Sequence, residues 1–543
     1  DSDLHISHLA LCASISALKV CPGCGPAVKE YVLPRALVLS SSPLLQDLAL
    51  DSLLALLEQI VLSGAVDFAD LLSLLRQNLA QASASKHAIE NLAKCIAVIT
   101  SVTSAENRQG VLSETLTTLE GSTTPEDPAA LKKVQLALLM SGDLGRIVDL
   151  TTTIDGLAEK LLTIYMGYFD SPSEDLKNAA AFALGRAAVG AQSVFLPAIV
   201  AALESNNQKK QYLLLSALRA FIQCSYQQSG GEGVAATLPV IMPHLENHCS
   251  DTEEGVRTMV AECMGSLTCM QPAKMLEKLS QMVEAHAFIT APNGTVDPAD
   301  TVSKNNSLVC WSIATSIKLA IAGKADPVQM AIFMPRLLKL LEQKELGCRN
   351  AALLMVYSAV HHMPQVVAGL MKEQIMPSLY EVATFKLERK VDLGPFTHTV
   401  DDALPLRKAA LSIFATCLEN LPASLDIASF MPVLAKALGD VEDVQLQAHQ
   451  IVISMCARQP AYVIAAVETF VEPLEKTMHK KQGQKTGTEL ERLHEWIKSA
   501  LRTMVALSKL EGAMNNRKFA DFYARTRANS KFQPTLEAIA EER

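Results

Sequence analysis

Hydrophobic and polar positions alternate with the period of an α-helix over most of this 543-residue chain. Apolar residues return every three or four positions, as in YLLLSALRAFI from Tyr212 and SLVCWSIATSIKLAI from Ser307. This spacing places the apolar side chains on one face of each helix. The pattern therefore predicts a protein built almost entirely from amphipathic helices.

One helical motif recurs along the chain. Residues 170–185 read DSPSEDLKNAAAFALG and residues 251–265 read DTEEGVRTMVAECMG, which aligns Leu176 with Val256 at an offset of 80 residues. Each copy has an acidic turn, a capping residue, an apolar residue followed by a basic one, and then small residues. The same order returns in the stretches that begin at Cys348, Leu406 and Val444.

An offset of 80 residues corresponds to two units of about 40, the period of two-helix repeats of the HEAT or armadillo kind. A single helix pair cannot cover its own apolar stripe, and stacking the next pair covers it. Small residues such as Ala179, Ala180, Gly185 and Gly265 are expected where neighbouring helices approach closely. We therefore predict an all-α protein, an α-solenoid of HEAT repeats.

One stretch departs from the helical period. Cys348 and Leu406 are 58 residues apart, one repeat plus nearly 20 extra residues. Within the surplus, residues 384–393 read TFKLERKVDL, in which apolar and charged positions alternate and Arg389 alone breaks the apolar side. Period two is typical of a strand with one buried face. The apolar positions of this arm are Phe385, Leu387, Val391 and Leu393.

A second alternating arm, residues 396–400, follows Gly394-Pro395. The two arms predict one β-hairpin inserted between helical repeats, with the position of its turn open, because Gly-Pro is not a standard two-residue hairpin turn. The alternative is an irregular loop packed on its own repeat. A lone hairpin is marginally stable in water, so its apolar face must rest on the solenoid or on a partner. The predicted organisation is a HEAT-repeat solenoid at 1–378, the hairpin insertion at 379–402 and C-terminal HEAT repeats at 403–543.

Composition and charge narrow the class of protein. The net charge of −9 and pI near 5.8 argue against a general nucleic-acid binder. No apolar run reaches the roughly 18 to 20 residues of a membrane span, so we expect a soluble protein. Most of the 12 cysteines lie in apolar helical contexts, which indicates reduced thiols and a reducing compartment. We expect a cytoplasmic and nuclear location. The chain begins at Asp1 without a signal-peptide pattern, and we interpret it as part of a longer protein.

Stretches along nearly the whole chain resemble one family. The most specific is GPFTHTVDDALPLRKAA at 394–410, and the others are SSPLLQDLALDSLLALLEQIV at 41–61, LAKCIAVIT at 92–100, SPSEDLKNAAAFALG at 171–185, KKQYLLLSAL at 209–218 and VEPLEK at 471–476. These residues resemble the C-terminal part of the cullin-associated, neddylation-dissociated (Cand) proteins. The polar insertion at 286–306 is not part of that resemblance.

The resemblance implies a non-enzymatic regulator of cullin–RING ubiquitin ligases that needs no cofactor. Family members bind the cullin of an unneddylated complex, and their C-terminal repeats and hairpin meet the cullin N-terminal domain. There they compete with the adaptor of the substrate-receptor module, which makes them exchange factors for substrate receptors. The family's hairpin falls on 381–402 here. The resemblance assigns partner contacts to Phe385, Leu387, Val391, Leu393, Phe396 and His398, with Asp401 and Asp402 at the base of the hairpin.

The residues themselves leave two alternatives open, one for the role of Asp401-Asp402 and one for the function of the repeats. Asp401-Asp402 precedes a helix, where a capping role is the simpler interpretation. A general HEAT scaffold, of the transport-receptor or phosphatase-subunit kind, would explain the repeats without needing the hairpin.

Metal and catalytic chemistry find little support in the sequence. His5, His8, Cys12, Cys21 and Cys24 have ligand-like spacing, but CPGC also suits a turn between helices, and no βαβ pattern surrounds it for a thioredoxin-like function. The histidines at 244 and 248, beside Cys249, and those at 361 and 362 are expected to end helices, where they interact with the helix dipole. The basic loop with Lys480, Lys481 and Lys485 is expected to be solvated. No nucleophile or phosphate-binding motif is present.

Overall fold

A computed structural model describes residues 4–42, 44–81, 86–121, 127–205, 208–229, 231–287, 301–393, 396–481, 483 and 486–541. The chain divides into two compact units, Asp1–Cys263 and Met264–Arg543. Both are built from helices, and the described strands form one two-stranded sheet in the second unit. The predicted all-α solenoid of HEAT repeats with one inserted hairpin is confirmed.

The first unit is built from helices. They are α1 (Leu4–Val20), α2 (Gly25–Ala27), α3 (Leu33–Ser40), α4 (Asp47–Leu62), α5 (Phe68–Gln81), α6 (Lys86–Ser101), α7 (Ala105–Gly121), α8 (Pro128–Ile147), α9 (Leu150–Thr153), α10 (Leu157–Tyr168), α11 (Glu174–Gly190), α12 (Gln192–Glu204), α13 (Gln208–Ser229), α14 (Gly231–His248) and α15 (Glu254–Met270), whose C-terminal end belongs to the second unit.

The second unit continues the pattern and carries the hairpin. Its elements are α16 (Pro272–His286), α17 (Thr301–Ala322), α18 (Pro327–Leu337), α19 (Leu346–His362), α20 (Pro364–Val367), α21 (Met376–Val382), β1 (Glu388–Leu393), β2 (Phe396–Asp401), α22 (Leu404–Asn420), α23 (Ile427–Ala437), α24 (Glu442–Arg458), α25 (Pro460–Met478), α26 (Thr488–Ser508), α27 (Arg517–Ala528) and α28 (Gln533–Glu541).

The recurring sequence motif produces helices of one length. α11, α15, α19, α22 and α24 each have 17 residues, and each begins two residues before the apolar position aligned from sequence. Capping side chains fix the starts of two of these helices. Ser173 accepts the backbone N–H of Leu176 before α11, and the Glu345 carboxylate accepts the N–H groups of Gly347 and Cys348 before α19. Such caps satisfy donors that the first helical turn leaves free.

Small residues let these helices pack closely, as the sequence predicted. α11 lies between α8 and α13, and Ala179, Ala180 and Ala183 on it are buried. A Cβ atom built on Gly185 would overlap sterically with the Ala217 carbonyl oxygen and lie 2.9 Å from Ala220 Cβ. Glycine is therefore required at 185 by close approach to the α13 backbone.

The predicted hairpin is present, so the irregular-loop alternative is wrong. β1 and β2 are antiparallel, and Glu388 pairs with Asp401 at one end while Leu393 pairs with Phe396 at the other. This register leaves residues 394–395 as the connection, and they lie outside the described residues. The first arm is shorter than the alternating pattern: β1 starts at Glu388 because the chain first turns out of α21 at residues 383–384.

The structure describes only part of the polar insertion and bears on the question of a membrane span only within the described helices. The polar insertion at 286–306 begins at the end of α16 and finishes inside α17, and residues 288–300 lie outside the described part. Among the helices that the structure describes, none combines the length and apolarity of a membrane span.

Gly185→Ala should lower the free energy of unfolding by about 1–3 kcal/mol, because the added methyl group overpacks the contact between α11 and α13. Gly110→Ala is the matched control: Gly110 lies in α7, is exposed and has open space around its Cα. There alanine should raise stability by about 0.5–1 kcal/mol through its helix propensity. Urea unfolding of both variants tests the pair. Equal effects would contradict the close packing at Gly185.

Candidate partner-binding site

The pairing register divides the hairpin into two chemically different faces. Residues paired across the strands share a face, and successive residues alternate. One face is polar and carries Glu388, Lys390, Asp392, Thr397, Thr399 and Asp401. The other, called here the apolar face, carries Arg389, Val391, Leu393, Phe396, His398 and Val400.

The described part of the apolar face is open to solvent. Val400 is 37% exposed and Val391 is partly exposed. Leu387, which precedes β1, is 46% exposed, and Phe385 is partly buried. The side chains of residues 393–398 lie outside the described part. The strands pack chiefly against each other, and Val391 and Val400 on this face are left partly exposed.

A buried arginine holds the base of the hairpin. Arg407, in the first turn of α22, has no exposed side-chain surface. Its Nη1 donates to the backbone carbonyl of Phe385 at 2.8 Å and lies 2.6 Å from Asp401 Oδ2. These two residues belong to opposite arms of the insertion. One guanidinium therefore clamps the chain where it enters and where it leaves the hairpin.

The same guanidinium reaches the next repeat. Arg407 Nη2 donates to Asp440 Oδ1 at 3.2 Å, and Nε lies 3.0 Å from Oδ2 in an ion-pair contact that lacks hydrogen-bond geometry. Asp440 is 7% exposed and also receives the Lys386 ammonium at 3.5 Å. Arg407 thus lies between two carboxylates, and the rigid fork of arginine suits such bridging.

Asp401 works as a structural acceptor at the hairpin's exit. Its Oδ1 accepts the backbone N–H of Leu387 at 3.0 Å and of Ala403 at 3.1 Å. Burial alone raises the pKa of this carboxyl, but these two bonds and the Arg407 guanidinium outweigh it and lower the pKa below its ordinary value. The bond to Ala403, the residue before α22, resembles the capping role left open from sequence.

Asp402 closes the base on the solvent side. Its carboxylate lies 2.6 Å from Arg389 Nε, and its backbone N–H donates to the Leu387 carbonyl at 3.0 Å. Both acidic residues therefore have partners within the chain. Their assignment as cullin contacts, like that of the six other hairpin residues, stays a prediction.

The helix before the hairpin is fixed by a second arginine. Arg349 on α19 makes two parallel hydrogen bonds to the Glu381 carboxylate, at 3.0 and 2.9 Å. The hydrogen bond from Arg349 lowers the pKa of Glu381. Next to Glu381, the Tyr380 ring lies 5.5 Å from that of Phe414 on α22. The hairpin thus emerges from a helix that is itself held on both sides.

Arg407 is the important residue that sequence reasoning missed. The signal was present, because Arg407, Arg349 and Arg257 all occupy the basic position after the first apolar residue of the repeat motif. In each case the guanidinium binds the turn or helix end beside it; Arg257 donates to the carbonyls of Asp251 and Thr252 at 2.7 and 3.1 Å. The motif indicated a repeat, but it did not indicate that one copy would bind an insertion.

The candidate metal ligands near the N-terminus fall into two places. His8 Nδ1 lies at 2.5 Å from Ser52 Oγ, and Cys12 Sγ is 3.8 Å from the same His8 nitrogen. Cys21 and Cys24 form a separate pair beyond the end of α1. Across the described ranges, no three histidine, cysteine or carboxylate side chains are placed to hold a metal ion.

Of the other histidines singled out in the sequence, His248, His361 and His362 lie at helix ends, as expected, and Lys485 of the basic loop lies outside the described residues. His248 is the last residue of α14, 3.8 Å from Asp251, and burial lowers its pKa. Cys249 beside it is buried, which raises the pKa of its thiol to about 12. His361 and His362 end α19. In the basic loop, the Lys480 ammonium lies 4.1 Å from the centre of the Trp496 ring, so this lysine is partly engaged within the protein.

Arg407→Met should lower the free energy of unfolding by about 3–5 kcal/mol, because it leaves Asp401 without its counter-charge and leaves Asp440 with only the Lys386 ammonium, 3.5 Å away. The control is Lys476→Met, which removes one partner of the exposed Lys476–Glu472 pair and should cost no more than about 0.5 kcal/mol. Urea unfolding measures both. Equal, small losses would show that Arg407 does not fix the hairpin.

Acid should weaken the hairpin base through Asp401. Because its pKa is lowered on folding, the ionised carboxylate contributes stability that is present above its ordinary value of 3.8 and is lost as pH falls through the folded value. Asp401→Asn should therefore flatten the dependence of unfolding free energy on pH below about 4, by up to one proton. The same change made in the Arg407→Met background should flatten it less. Identical effects in both backgrounds would contradict the coupling.

Parts of the chain match known protein families. Residues 367–527, which include the hairpin and its base, match the family model described as TATA-binding protein interacting (TIP20), and residues 241–268 match the HEAT repeat. Among solved structures, yeast importin-beta (Kap95p) is 13% identical with a TM-score of 0.47, over 95% of this chain and 71% of that one. This likeness is too weak to inform function.

Curated relatives match almost the whole chain. "Cullin-associated NEDD8-dissociated protein 1" of Arabidopsis thaliana is 32% identical over 95% of this chain and 41% of the relative. The protein of the same name from Drosophila melanogaster is 30% identical over 100% of this chain and 43% of the relative. The chain thus spans about two-fifths of the length of these relatives. These matches confirm the resemblance found in the sequence: the chain belongs to the family of cullin-associated NEDD8-dissociated proteins.

Proposed function

We propose that this chain is a non-enzymatic regulator of cullin–RING ubiquitin ligases. It binds the cullin of an unneddylated complex, and its C-terminal repeats and hairpin occupy surface that the adaptor of the substrate-receptor module would otherwise use. By displacing that adaptor it acts in substrate-receptor exchange. We place this activity in the cytoplasm and nucleus.

The observation that carries the proposal is the exposure of apolar residues such as Leu387 and Val400 on a hairpin with a fixed base. A two-stranded hairpin is marginal alone, and here Arg407 supplies the missing support without covering the apolar face. Exposed apolar residues on a rigid element are typical of protein interaction sites. The hairpin also lies inside the stretch matched by the family model, and the relatives' names state an association with cullins.

The hairpin can supply a useful share of binding energy at small cost. Val400 and Leu387 are 37% and 46% exposed, so completing their burial contributes about 0.5–1.5 kcal/mol each. Since the base is already ordered, little conformational entropy is lost on binding. The chain covers about two-fifths of its relatives, and contacts made by the rest of a full-length protein would add to affinity by linkage. We expect this chain alone to bind a cullin more weakly than a full-length relative does.

A general HEAT scaffold is the second candidate. It would explain the repeats and their packing, and it would not depend on residues 388–401. The anchored hairpin favours the cullin-directed function, because an insertion without a binding role would have no need of an exposed apolar face. Loss of binding when only the hairpin changes separates the two.

A shortened hairpin tests the proposal. Replacing residues 389–400 with Asn-Gly joins the directly paired Glu388 and Asp401 through a favoured two-residue turn, and keeps Phe385 and Asp401 on Arg407. Capture of a purified unneddylated cullin–RING complex should fall by about tenfold or more, and competition with the adaptor should be lost. Unchanged adaptor competition by the folded variant would remove the hairpin from the mechanism.

Adjacent residues on opposite faces give a sharper comparison. Val400 lies on the apolar face and Thr399 on the polar face, and both are exposed. Val400→Glu should weaken cullin binding by about tenfold or more, because it places a charge in the buried contact. Thr399→Glu should change binding little. Binding to the immobilised complex measures both, and equal losses would contradict recognition through the apolar face.

A further inference from the structure

Two cysteines just beyond α1 are held together by a tight turn. The sequence there is Cys21-Pro22-Gly23-Cys24, and the backbone N–H of Cys24 donates to the carbonyl of Cys21 at 2.9 Å. A turn closed by this bond keeps its end Cα atoms within about 7 Å. Disulfides need Cα atoms roughly 4.4–6.8 Å apart, so the backbone is already close to the geometry of a disulfide.

The two thiols are accessible and near enough to interact. The Cys21 side chain raises the pKa of the Cys24 thiol. Cys21 is exposed and Cys24 is partly exposed, so a small reagent can reach the pair from solvent. Proline at the second position fixes its φ angle and limits the ways the turn can open. Two exposed thiols at the ends of a preformed turn favour formation of an intramolecular disulfide.

The chain contains its own comparison pair. The Cys310 side chain on α17 raises the pKa of the Cys348 thiol on α19, yet both side chains are buried with no exposed surface. A disulfide reagent cannot reach that pair while the second unit is folded. In both pairs the two cysteines lie close together. The pairs differ in whether a reagent in solution can reach the sulfur atoms.

We propose that Cys21 and Cys24 are a reversible modification site that forms an intramolecular disulfide by exchange with a small disulfide such as oxidised glutathione. Neither the cullin-directed function nor the hairpin involves these residues. Closing the bond would lock the turn that joins α1 to α2.

The exchange proceeds in two balanced steps. The Cys21 thiolate, formed by loss of its proton to water, attacks one sulfur of oxidised glutathione; a new S–S bond forms and one glutathione thiolate leaves. The Cys24 thiolate then attacks the Cys21 sulfur of the mixed disulfide and expels the second glutathione. Two protein thiols are oxidised, and one glutathione disulfide is reduced to two thiols. The raised pKa of the Cys24 thiol suits Cys21 as the first nucleophile.

The test equilibrates the full chain in buffers of varied reduced and oxidised glutathione, followed by acid quenching, alkylation and peptide mass spectrometry. We expect one disulfide, between Cys21 and Cys24, whose fraction varies with the inverse square of the reduced glutathione concentration, as an intramolecular bond requires. Cys310 and Cys348 should stay alkylatable after unfolding. Cys24→Ser should instead accumulate glutathione on Cys21, with a first-power dependence on reduced glutathione.

Three results would overturn the proposal. One is the absence of the Cys21–Cys24 bond at every ratio while Cys21 remains alkylatable. Another is a stable mixed disulfide on Cys21 in the unchanged chain, because it would show that Cys24 does not resolve it. The third is oxidation of the buried pair under the same conditions, which would show that access does not control the reaction.

Discussion

The C-terminal repeats depend on one buried cation. Arg407 has no exposed side-chain surface, and it binds the carbonyl of Phe385, the carboxylate of Asp401 and the carboxylate of Asp440 at once. A buried guanidinium is costly without full compensation, so its partners must remain in place. This single requirement fixes where the chain leaves the helical array, where it returns, and how the following repeat meets both points.

That arrangement separates support from recognition. The helices bury their apolar faces against one another and leave polar turns at their ends. This gives a regular scaffold whose repeats are chemically similar. The hairpin adds an element whose backbone is fixed at its base and whose apolar face is free for a partner. A lone hairpin could not hold such a face in position, and a helix in the same place would have buried it against its neighbours.

The sequence predicted the repeats because their signals are local. Capping residues such as Ser173, small residues such as Gly185 and the helical period all lie within one or two turns of the structure that they determine. The hairpin was predictable for the same reason, since alternation at 388–393 is a local pattern.

The shortened first arm was not predictable, because the turn at residues 383–384 has no distinct composition. The clamp was not predictable either: Arg407 and Asp440 are 33 residues apart, and nothing in their immediate neighbours marks them as partners. Asp401 shows the same limit, because its position before a helix indicated a cap, while its contact with Arg407 depends on the fold.

In the proposed mechanism, the hairpin held by Arg407 is the element that meets a cullin. Hydrogen–deuterium exchange of the full chain, with and without an unneddylated cullin–RING complex, tests it most directly. We predict that binding slows exchange of the backbone amides in residues 388–401, beyond any change in helices α22 and α24 that support them. Protection confined to the helical repeats, with the hairpin amides exchanging as in the free chain, would contradict the account.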